Sequence, residues 1–595
     1  MLFSKSNKIN ELILDENLVF APFHYLAKVM QCTMGSQALQ ASAGLATRAW
    51  HSLHWAACHR RVRSLQRRSV QAVQAGAWRQ VKRLRSLLVH SFAARTLAVT
   101  RVTEHAGKKT PGGDNDLWGT PVQKTRAGTR LGQWRGSRPQ PLKRLDSPKT
   151  KGTQRPRSSP TMDDRARQAF SLHARQPVAD TTADPHSYGF RPKRRCADAI
   201  DQCCKVLRQH TSATWIVEGD IAGFFDNMAF AWLEEHIPMN KRVLSQWRRS
   251  GFIDRGVLWP TTTGVPQGGM ISPVISTRVL DGLEAVVHGS SGHRRVHHIN
   301  DVRWADDFIV TANARQVLED TILPRITAFL AERGVRLSAT KTVITPLSQG
   351  VDFLGQTLCK HARRNGTRAK LQITPSKASL HAITTKVKTL CKHAAGATPE
   401  HLIDTLNPVL RGWANYHRHV ICSETFATLD SFVWRRLYRW AKLRHPDKTG
   451  HWLAARYFPR RPGETWRLSD PTTGKQIIRV QEARKQQRYV KIKGDANLFD
   501  PQWEAYFQDR ERQLALKASS AFRAKVLQQQ HGRCPGCQQV LQYDESLELH
   551  HRDGNHQNNR LVNLVLLHPN GHRQAHYAPD RYTAPTRPSR GAGHA

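Results

Sequence analysis

The sequence predicts an α+β protein of several domains. Three observations carry that expectation. At 595 residues the chain is too long for one ordinary hydrophobic core. Residues 163–355 alternate helical segments with short apolar strands, an α+β or α/β pattern. On either side lie stretches of different character: helical and basic over 50–102 and 375–445, and rich in Cys, His and Asn over 530–578.

The charge balance narrows the function classes. Lys and Arg number 91 against 46 Asp and Glu, a net charge of +45. Such a chain attracts polyanions, and nucleic acid is the foremost of these because each neutralised phosphate releases counterions. No run of 18 apolar residues occurs, and charge interrupts the N-terminal stretch MLFSKSNKINELILDENLVF, so neither a spanning helix nor a signal peptide is expected. The cysteine usage suits a reducing cytosol. One Cys-x-x-Cys pair, Cys534 and Cys537, has the spacing of a metal site. No fixed-period repeat is present.

The elements follow in chain order. Residues 1–50 carry few motifs. From Trp50 to Val102 the pattern is helical, with Val62, Leu65, Val81, Leu84 and Leu88 at spacings of three and four or their sums, and Arg and Lys between them. Residues 106–162, with GKKTPGGD and GSRPQPLKRLDSPKTKGTQRP, predict turns and short strands rather than helix. Residues 446–520 are polar, basic and loop-rich.

Two acidic motifs interrupt apolar strands. RWADDFIV (303–310) holds Asp306 and Asp307 between apolar neighbours, and WIVEGDIAGFFDNM places Asp220 after Trp215, Ile216 and Val217. Each puts an Asp at the end or turn of a strand. If the two strands are neighbours, the acids converge, and like charges that close need a cation between them. Carboxylate oxygens favour Mg²⁺, which keeps room for substrate phosphates. Two such ions can activate an attacking hydroxyl and stabilise a leaving oxygen in phosphoryl transfer. An Asp-Asp pair alone reads equally well as a turn or a helix cap.

The pair is not alone. DPHSYGFRPKRRCADAI (184–200), EGDIAGFFDNM (218–228), TGVPQGGMISPVIS (263–276), RWADDFIV and VDFLGQTL (351–358) occur in this order. Together they resemble the reverse transcriptases of group II introns, which also carry RNA maturase activity. The resemblance implies a right-hand polymerase of fingers, palm and thumb, with metal-binding acids at Asp220, Asp306 and Asp307. It implies a fingers strand at PKTKGTQRP whose Lys149 and Arg155 meet a triphosphate. It puts a bulky ring that excludes a ribose 2′-hydroxyl at Phe225, with Phe224 beside it as the other candidate. Gln267 with Gly268 and Gly269, and Lys341 in LSATKTVI, would lie near the nucleotide. LNPVLRGWANYHRHV (406–420) and SFVWRRLYRWAKLRH (431–445) resemble the thumb and maturase domain. In the latter, Trp434, Leu437, Tyr438 and Ala441 share a helical face. Arg435, Arg436, Arg439 and Lys442, with Trp440 among them, suit structured RNA. The chain departs from the family in two places: Trp304 stands where a tyrosine is usual, and RPRSSP (155–160) carries Arg157 and Ser159 at positions usually apolar.

The C-terminal stretch CPGCQQVLQYDESLELHHRDGNHQNNRLVNLVLLHPNGHRQAH resembles the His-Asn-His (HNH) nucleases, a ββα-metal fold. By that resemblance His551 is the general base, His550, His572 and His576 hold a divalent metal, and Asn563 fixes the loop. A zinc site would use Cys534, Cys537 and His568, with Gly571 where a fourth ligand is usual.

The resulting expectation is a multidomain protein. It divides into an N-terminal extension (1–50), fingers and palm (51–375), thumb and maturase domain (376–445), a basic DNA-binding or linker region (446–525), an HNH endonuclease (526–580) and a tail (581–595). The expected function is RNA-directed DNA polymerase, splicing maturase and DNA endonuclease acting in intron mobility. Its partners would be intron RNA, target DNA and deoxynucleoside triphosphates, with no membrane, in a bacterial cytosol or an organelle interior. Its cofactors would be Mg²⁺, a nuclease metal and zinc. Trp304 and RPRSSP motivate an alternative, a splicing maturase whose polymerase has decayed.

Overall fold

The computed structural model describes residues 36–577 except 105, 134–137, 149–153, 362–368, 460–466, 485–488, 519–520 and 543–544. In chain order its strands are β1 (Leu142–Pro148), β2 (Gln154–Ser159), β3 (Trp215–Gly219), β4 (Phe252–Asp254), β5 (Val257–Trp259), β6 (Asn300–Trp304) and β7 (Asp307–Ala312). They continue as β8 (Val343–Pro346), β9 (Val351–Phe353), β10 (Gln356–His361), β11 (Lys370–Pro375), β12 (Glu548–His551) and β13 (Leu564–Leu567). The chain folds into two compact units that interleave in sequence. One comprises Met1–Ala183, Gly223–Asp281 and Asp495–Ala595, the other Asp184–Ala222 and Gly282–Gly494.

In the first unit the basic stretch forms three helices, Trp55–Gln74, Trp78–His90 and Phe92–Glu104. Val62, Leu65, Val81, Leu84 and Leu88 are buried in one core with Phe170 and Val178 of the helix Met162–Thr182. Val62 and Leu65 share a face of the first helix and Val81, Leu84 and Leu88 a face of the second, by spacings of three and four, so the charged residues between them turn outward. Over 106–162 the expected turns and strands include β1 and β2, but Pro121–Arg130 is helical, which corrects the sequence reading. A capping box starts it: the Thr120 Oγ1 accepts from the Gln123 backbone N–H, and the Gln123 side chain accepts from the Thr120 N–H. Pro121 fits the first helical turn, where its missing N–H costs nothing.

The unit's sheet has the order β2-β1-β4-β5, with β1 antiparallel to β2 and parallel to β4. Ser159, at a position read as apolar in relatives, is buried and satisfied here: it donates to the Pro111 carbonyl (3.1 Å) and accepts from Arg165 (2.7 Å). The Arg157 side chain lies outside the described residues. At the C-terminal end, β12 pairs antiparallel with β13 and the helix Pro569–Tyr577 follows, over a core of Leu564–Leu567, Val526 and Leu527. The stretch read as loop-rich over 446–520 contains two helices, Gly450–Tyr457 in the second unit and Glu504–Ala518 in the first.

The second unit is built on an antiparallel sheet of order β6-β7-β3-β8 and a three-stranded sheet of order β11-β10-β9. Its helices Lys377–His393, Pro399–His417 and Ser423–Arg444 share a core that includes Leu410, Phe426, Leu437 and Ala441. Trp434 and Tyr438 stack on each other with centroids 5.4 Å apart. Trp440, grouped above with the basic face, belongs instead to this core: it is 4 % exposed and its indole N–H donates to the Ala394 carbonyl (2.8 Å). That satisfied bond is why the ring turns inward, leaving the exposed face to Arg435 and Arg439. Among the described residues no helix is long and apolar enough to cross a membrane.

Candidate active site and candidate metal centres

Asp220, Asp306 and Asp307 come together in the second unit by strand register. β3 runs antiparallel to β7 with Gly219 opposite Phe308, so Asp220, just beyond β3, meets Asp307 at the start of β7. Asp306 sits in the hairpin turn that joins β6 to β7, after Ala305 at φ +58°. The pair RWADDFIV is therefore a hairpin tip rather than a continuous buried strand, and this is why it tolerates two acids. Asp306 is half-buried and Asp307 exposed. The Asp307 carboxyl is pushed up to about 6 by desolvation, then by the charges of Asp306 and Asp220. Lys341 answers that negative charge. Its Nζ lies 2.7 Å from an Asp220 carboxylate oxygen, and this hydrogen bond raises the ammonium's pKa. The loop carrying Lys341 is tied to the same residue, since the Ser338 N–H donates to the Asp220 carbonyl (2.8 Å). Asp220 and Asp307, in contact across the strands and with the charge of Asp306 beside them, already attract a side-chain cation, and carboxylates of this kind suit Mg²⁺.

The motif DPHSYGFRP supports the acidic turn. The Tyr188 N–H donates to the Arg303 carbonyl (2.9 Å) and the Arg303 N–H to the His186 carbonyl (3.1 Å). A Cβ on Gly189 would stand 2.2 Å from the Ala305 nitrogen, so only glycine lets this segment lie against the turn. Arg303 itself is buried, 3.3 Å from Asp184, whose carboxylate also accepts from the Gly282 N–H (2.9 Å).

The other expected nucleotide residues divide between the units. Lys149 lies outside the described residues. Arg155 lies in β2 opposite Ser147, but its side chain is outside the described residues. Phe225 and Gln267 are in the first unit and Lys341 in the second. Phe225 is 9 % exposed and Phe224 3 %, and the Phe225 carbonyl accepts from Val265. The glycines after Gln267 have a structural cause. A Cβ on Gly268, at φ +112°, would stand 2.0 Å from the Ser158 carbonyl oxygen, and the Ser158 N–H donates to the Gln267 carbonyl (2.8 Å). The backbone that Gly268 approaches is that of β2.

Sequence reasoning missed two features of the second unit. Glu218 on β3 is pushed up to about 7 by burial and by Asp352. A buried network joins His186 to Glu284 (2.7 Å) and His288 to Asp301 (2.9 Å). Glu218 and His186 lie in motifs quoted above, but their partners Asp352 and Glu284 are brought to them by long-range packing.

In the C-terminal ββα element, β12 carries His550 and His551 and the helix Pro569–Tyr577 carries His572 and His576. One turn separates the two helical histidines, and their Nε2 atoms are 3.2 Å apart. Ligand atoms of His550, His572 and His576 all lie within 4.8 Å of one another, a set that fits a divalent transition metal. Burial, then the neighbouring histidines, pushes His550 down to about 4, keeping it neutral as a ligand must be. Glu548, which sequence reasoning passed over, holds the His572 Nδ1 at 2.7 Å, an arrangement that would orient a ligating imidazole. His551 stands apart from the three, with its Nε2 3.2 Å from the Asn559 side-chain oxygen. Asn563 ties the intervening loop: it accepts from the Asp553 N–H (3.1 Å) and donates to the Asn558 carbonyl (2.8 Å).

Cys534, Cys537 and His568 form a second cluster with ligand atoms within 4.8 Å. The Cys537 Sγ is 3.2 Å from the His568 Nδ1, and the His568 Nε2 is 3.1 Å from Glu545. The hydrogen bond from Cys537 pushes the Cys534 thiol down to about 4, a thiolate poised as a ligand. A Cβ on Gly571 would stand 3.5 Å from the Cys534 Sγ, so the position without a side chain borders the cluster.

Three family models match the chain in order. The N-terminal domain of reverse transcriptase matches residues 50–131, reverse transcriptase (RNA-dependent DNA polymerase) matches 147–358, and the group II intron, maturase-specific domain matches 380–458. Protein YkfC of Escherichia coli (strain K12) is 28% identical over 291 residues, 42% of this chain and 76% of that protein. The group II intron-encoded protein LtrA of Lactococcus lactis subsp. cremoris is 24% identical over 293 residues, 38% of this chain and 48% of LtrA. The putative COX1/OXI3 intron 2 protein of Saccharomyces cerevisiae is 25% identical over 272 residues, 36% of this chain and 32% of that protein. The chain thus spans about half of LtrA and a third of the yeast protein. The acids Asp220, Asp306 and Asp307 fall inside the polymerase match, and the helices Pro399–His417, Ser423–Arg444 and Gly450–Tyr457 inside the maturase match. This chain is accordingly similar, in order, to the N-terminal and polymerase domains of reverse transcriptases and to the group II intron maturase-specific domain.

Proposed function

We propose that the protein is an intron-encoded RNA-directed DNA polymerase and splicing maturase with a C-terminal metal-dependent DNA endonuclease. It binds its intron RNA, helps it fold for splicing, nicks a DNA strand, and extends the cut 3′ end by copying the RNA, as intron mobility requires. The observation that carries the polymerase reading is the meeting of Asp220 and Asp307 across β3 and β7, with Asp306 beside them and Lys341 on Asp220. Asp220, Asp306 and Asp307 would hold Mg²⁺, which when bound neutralises the phosphates and favours the ionised primer hydroxyl. The chain's own part is positioning. The β3–β7 register fixes the carboxyls, the segment 186–189 braces the turn, and Lys341 is free to move from Asp220 to a triphosphate. The bond formed joins the primer 3′-oxygen to the α-phosphorus, and pyrophosphate leaves.

The reading is tested by primer extension on an RNA template. Asp306→Asn removes a metal ligand and no phosphate contact, so synthesis should be lost while RNA binding is nearly unchanged. Retained synthesis would refute the metal-site assignment. The second reading, a maturase with a decayed polymerase, is favoured by Trp304, which pairs with Asp307 at the end of β6. Its signature is an unmutated protein that promotes splicing yet extends no primer.

The nuclease reading rests on the separation of His551 from His550, His572 and His576. Here His551 takes the proton from water and the other three hold the metal. The roles fail differently. His551→Ala should keep the metal and lose about 10²–10⁴ in nicking rate. His576→Ala should weaken the metal, with activity partly restored by excess Mn²⁺. Bound metal and nicking are measured on both variants side by side. Normal nicking by His551→Ala, or unchanged metal and rate in His576→Ala, would leave the ββα element as a DNA-binding appendage.

A further inference from the structure

The first unit contains a cavity of about 90 Å³, lined by the helices Trp78–His90, Met162–Thr182 and Ser272–Val279 and by residues 236–238. Three guanidiniums line it, those of Arg85, Arg175 and Arg278. Arg278 has a carboxylate partner, Asp281 at 3.5 Å, and also donates to the Thr182 hydroxyl (3.0 Å). Among the described residues Arg85 and Arg175 bond only to backbone carbonyls, Arg85 to Pro238 and Arg175 to Ser171 (2.9 Å). The Nε of each is buried without a hydrogen-bond partner. No carboxylate among the described residues acts on either group. Burial, with Arg85 adding to it, pushes Arg175 down to about 9.

Two neighbouring half-buried cations with no acid between them cost free energy in an empty site. An anion offsets that cost. The planar fork of a guanidinium matches phosphate oxygens in pairs, which an ammonium does not. The cavity has room for several water molecules, enough for a phosphate group and too little for a whole nucleotide. Its rim carries Trp78, 55 % exposed, a ring on which a base can stack. The remaining wall is largely apolar, with Val178, Val274 and Ile275.

We propose that this cavity seats one backbone phosphate of a bound RNA strand between Arg85 and Arg175, with the adjoining base stacked on Trp78. The site is separate from the acids of the polymerase reading and does not depend on that reading. Its test measures binding and not synthesis, so the two can fail independently.

The experiment uses the full chain and three probes: a short oligoribonucleotide, inorganic phosphate, and chloride at matched ionic strength. Arg175→Met should weaken oligoribonucleotide binding about tenfold or more, as loss of a charge-assisted hydrogen bond predicts. It should also reduce the slope of log K against log salt by about one. Trp78→Ala should weaken binding and leave that slope unchanged, because stacking releases no counterion. In phosphate-free buffer Arg175→Met should melt no lower than the unmutated protein, since it removes a half-buried cation on which no carboxylate among the described residues acts. A merely structural arginine would melt lower. If Arg175→Met does not fold, Arg85→Gln provides the same binding comparison. Phosphate that stabilises the unmutated protein above matched chloride, while oligoribonucleotide binding ignores both arginines, would identify a free anion as the occupant and overturn the RNA assignment. Unchanged RNA binding in the variants together with no phosphate-specific stabilisation would overturn the site altogether.

Discussion

At the scale of single residues, the chemistry was most legible where a side chain contradicts its neighbours. Asp220, Asp306 and Asp307 stand out because apolar strands surround them, and β-register then brings them together. Trp440 was misleading for the opposite reason: its neighbours are basic, but its ring is buried against the Ala394 carbonyl. Partners such as Glu548 on His572 were invisible, since no spacing rule connects a strand acid to a helix histidine 24 positions on. Gly571 is where one residue tests a whole site. A Cβ there meets the Cys534 Sγ at 3.5 Å, ordinary contact, and the position lies in a helix with no positive φ. Gly571→Cys should therefore add a thiolate as the fourth ligand beside Cys534, Cys537 and His568 and close the coordination shell. Zinc should be retained at chelator concentrations that strip the unmutated protein. Gly571→Ala is the control, because replacing a helical glycine alone stabilises by up to about 1 kcal/mol. If Cys and Ala variants hold zinc equally, the cluster does not bind it through this position.

At the scale of elements, periodic stretches were legible and capped ones were not. The spacings of Val62, Leu65, Val81, Leu84 and Leu88 predicted a buried helical face, and all five are buried. The helix Pro121–Arg130 escaped notice because a Gly-, Pro- and Lys-rich composition outweighed the short Thr-Pro-x-Gln start signal. The central strand β3 adds a property that no motif displays. Glu218 sits between Ile309 of β7 and Val343 of β8, and its carboxyl is pushed from 4.5 up to about 7 by burial and by Asp352. The folded state thus binds this proton more tightly than the unfolded chain. Stability from it is present below pH 4.5 and is lost as pH rises through 7. Asp307, raised to about 6, acts in the same direction without metal. Histidines held neutral by burial, such as His417 and His419, act in the opposite direction, so Glu218 is isolated by a difference. In metal-free buffer Glu218→Gln should gain in melting temperature relative to the unmutated protein as pH rises from 5 to 7.5. Parallel melting curves for the two proteins across this range would remove Glu218 from the account.

At the scale of the whole molecule, the two units were the least legible feature. A sequence is read linearly, whereas Met1–Ala183, Gly223–Asp281 and Asp495–Ala595 assemble by contacts between segments hundreds of residues apart. The net charge of +45, in contrast, is plain from composition and makes a claim about function that the fold refines. Both units present basic helical faces. In the first, Arg79, Lys82 and Arg83 are exposed on the helix Trp78–His90, opposite the buried Val81, Leu84 and Leu88. In the second, Arg435, Arg439 and Lys442 are exposed on the helix Ser423–Arg444, opposite Leu437 and Ala441. Each helix therefore anchors by its apolar stripe and offers its charge to solvent or to phosphate. Salt distinguishes these. Contacts to phosphate release counterions, so log K for RNA falls with log salt by about 0.7 per contact for single strands and 0.9 for duplex, whereas a solvated face contributes no such slope. Binding of structured intron RNA should weaken steeply between low and physiological salt. Replacing Arg79, Lys82 and Arg83 together by Gln should lower the slope by about 2 to 3 if all three meet phosphate. The Arg435, Arg439 and Lys442 triple replacement should do the same, and the combined variant should lose the sum, because the helices belong to different units and share no side-chain partners. Melting temperatures should barely move in either triple variant, since exposed charges contribute little to stability. A triple variant with the unmutated slope would assign that face to solvent, and a flat slope in the unmutated protein would mean that the charge faces no RNA in either unit.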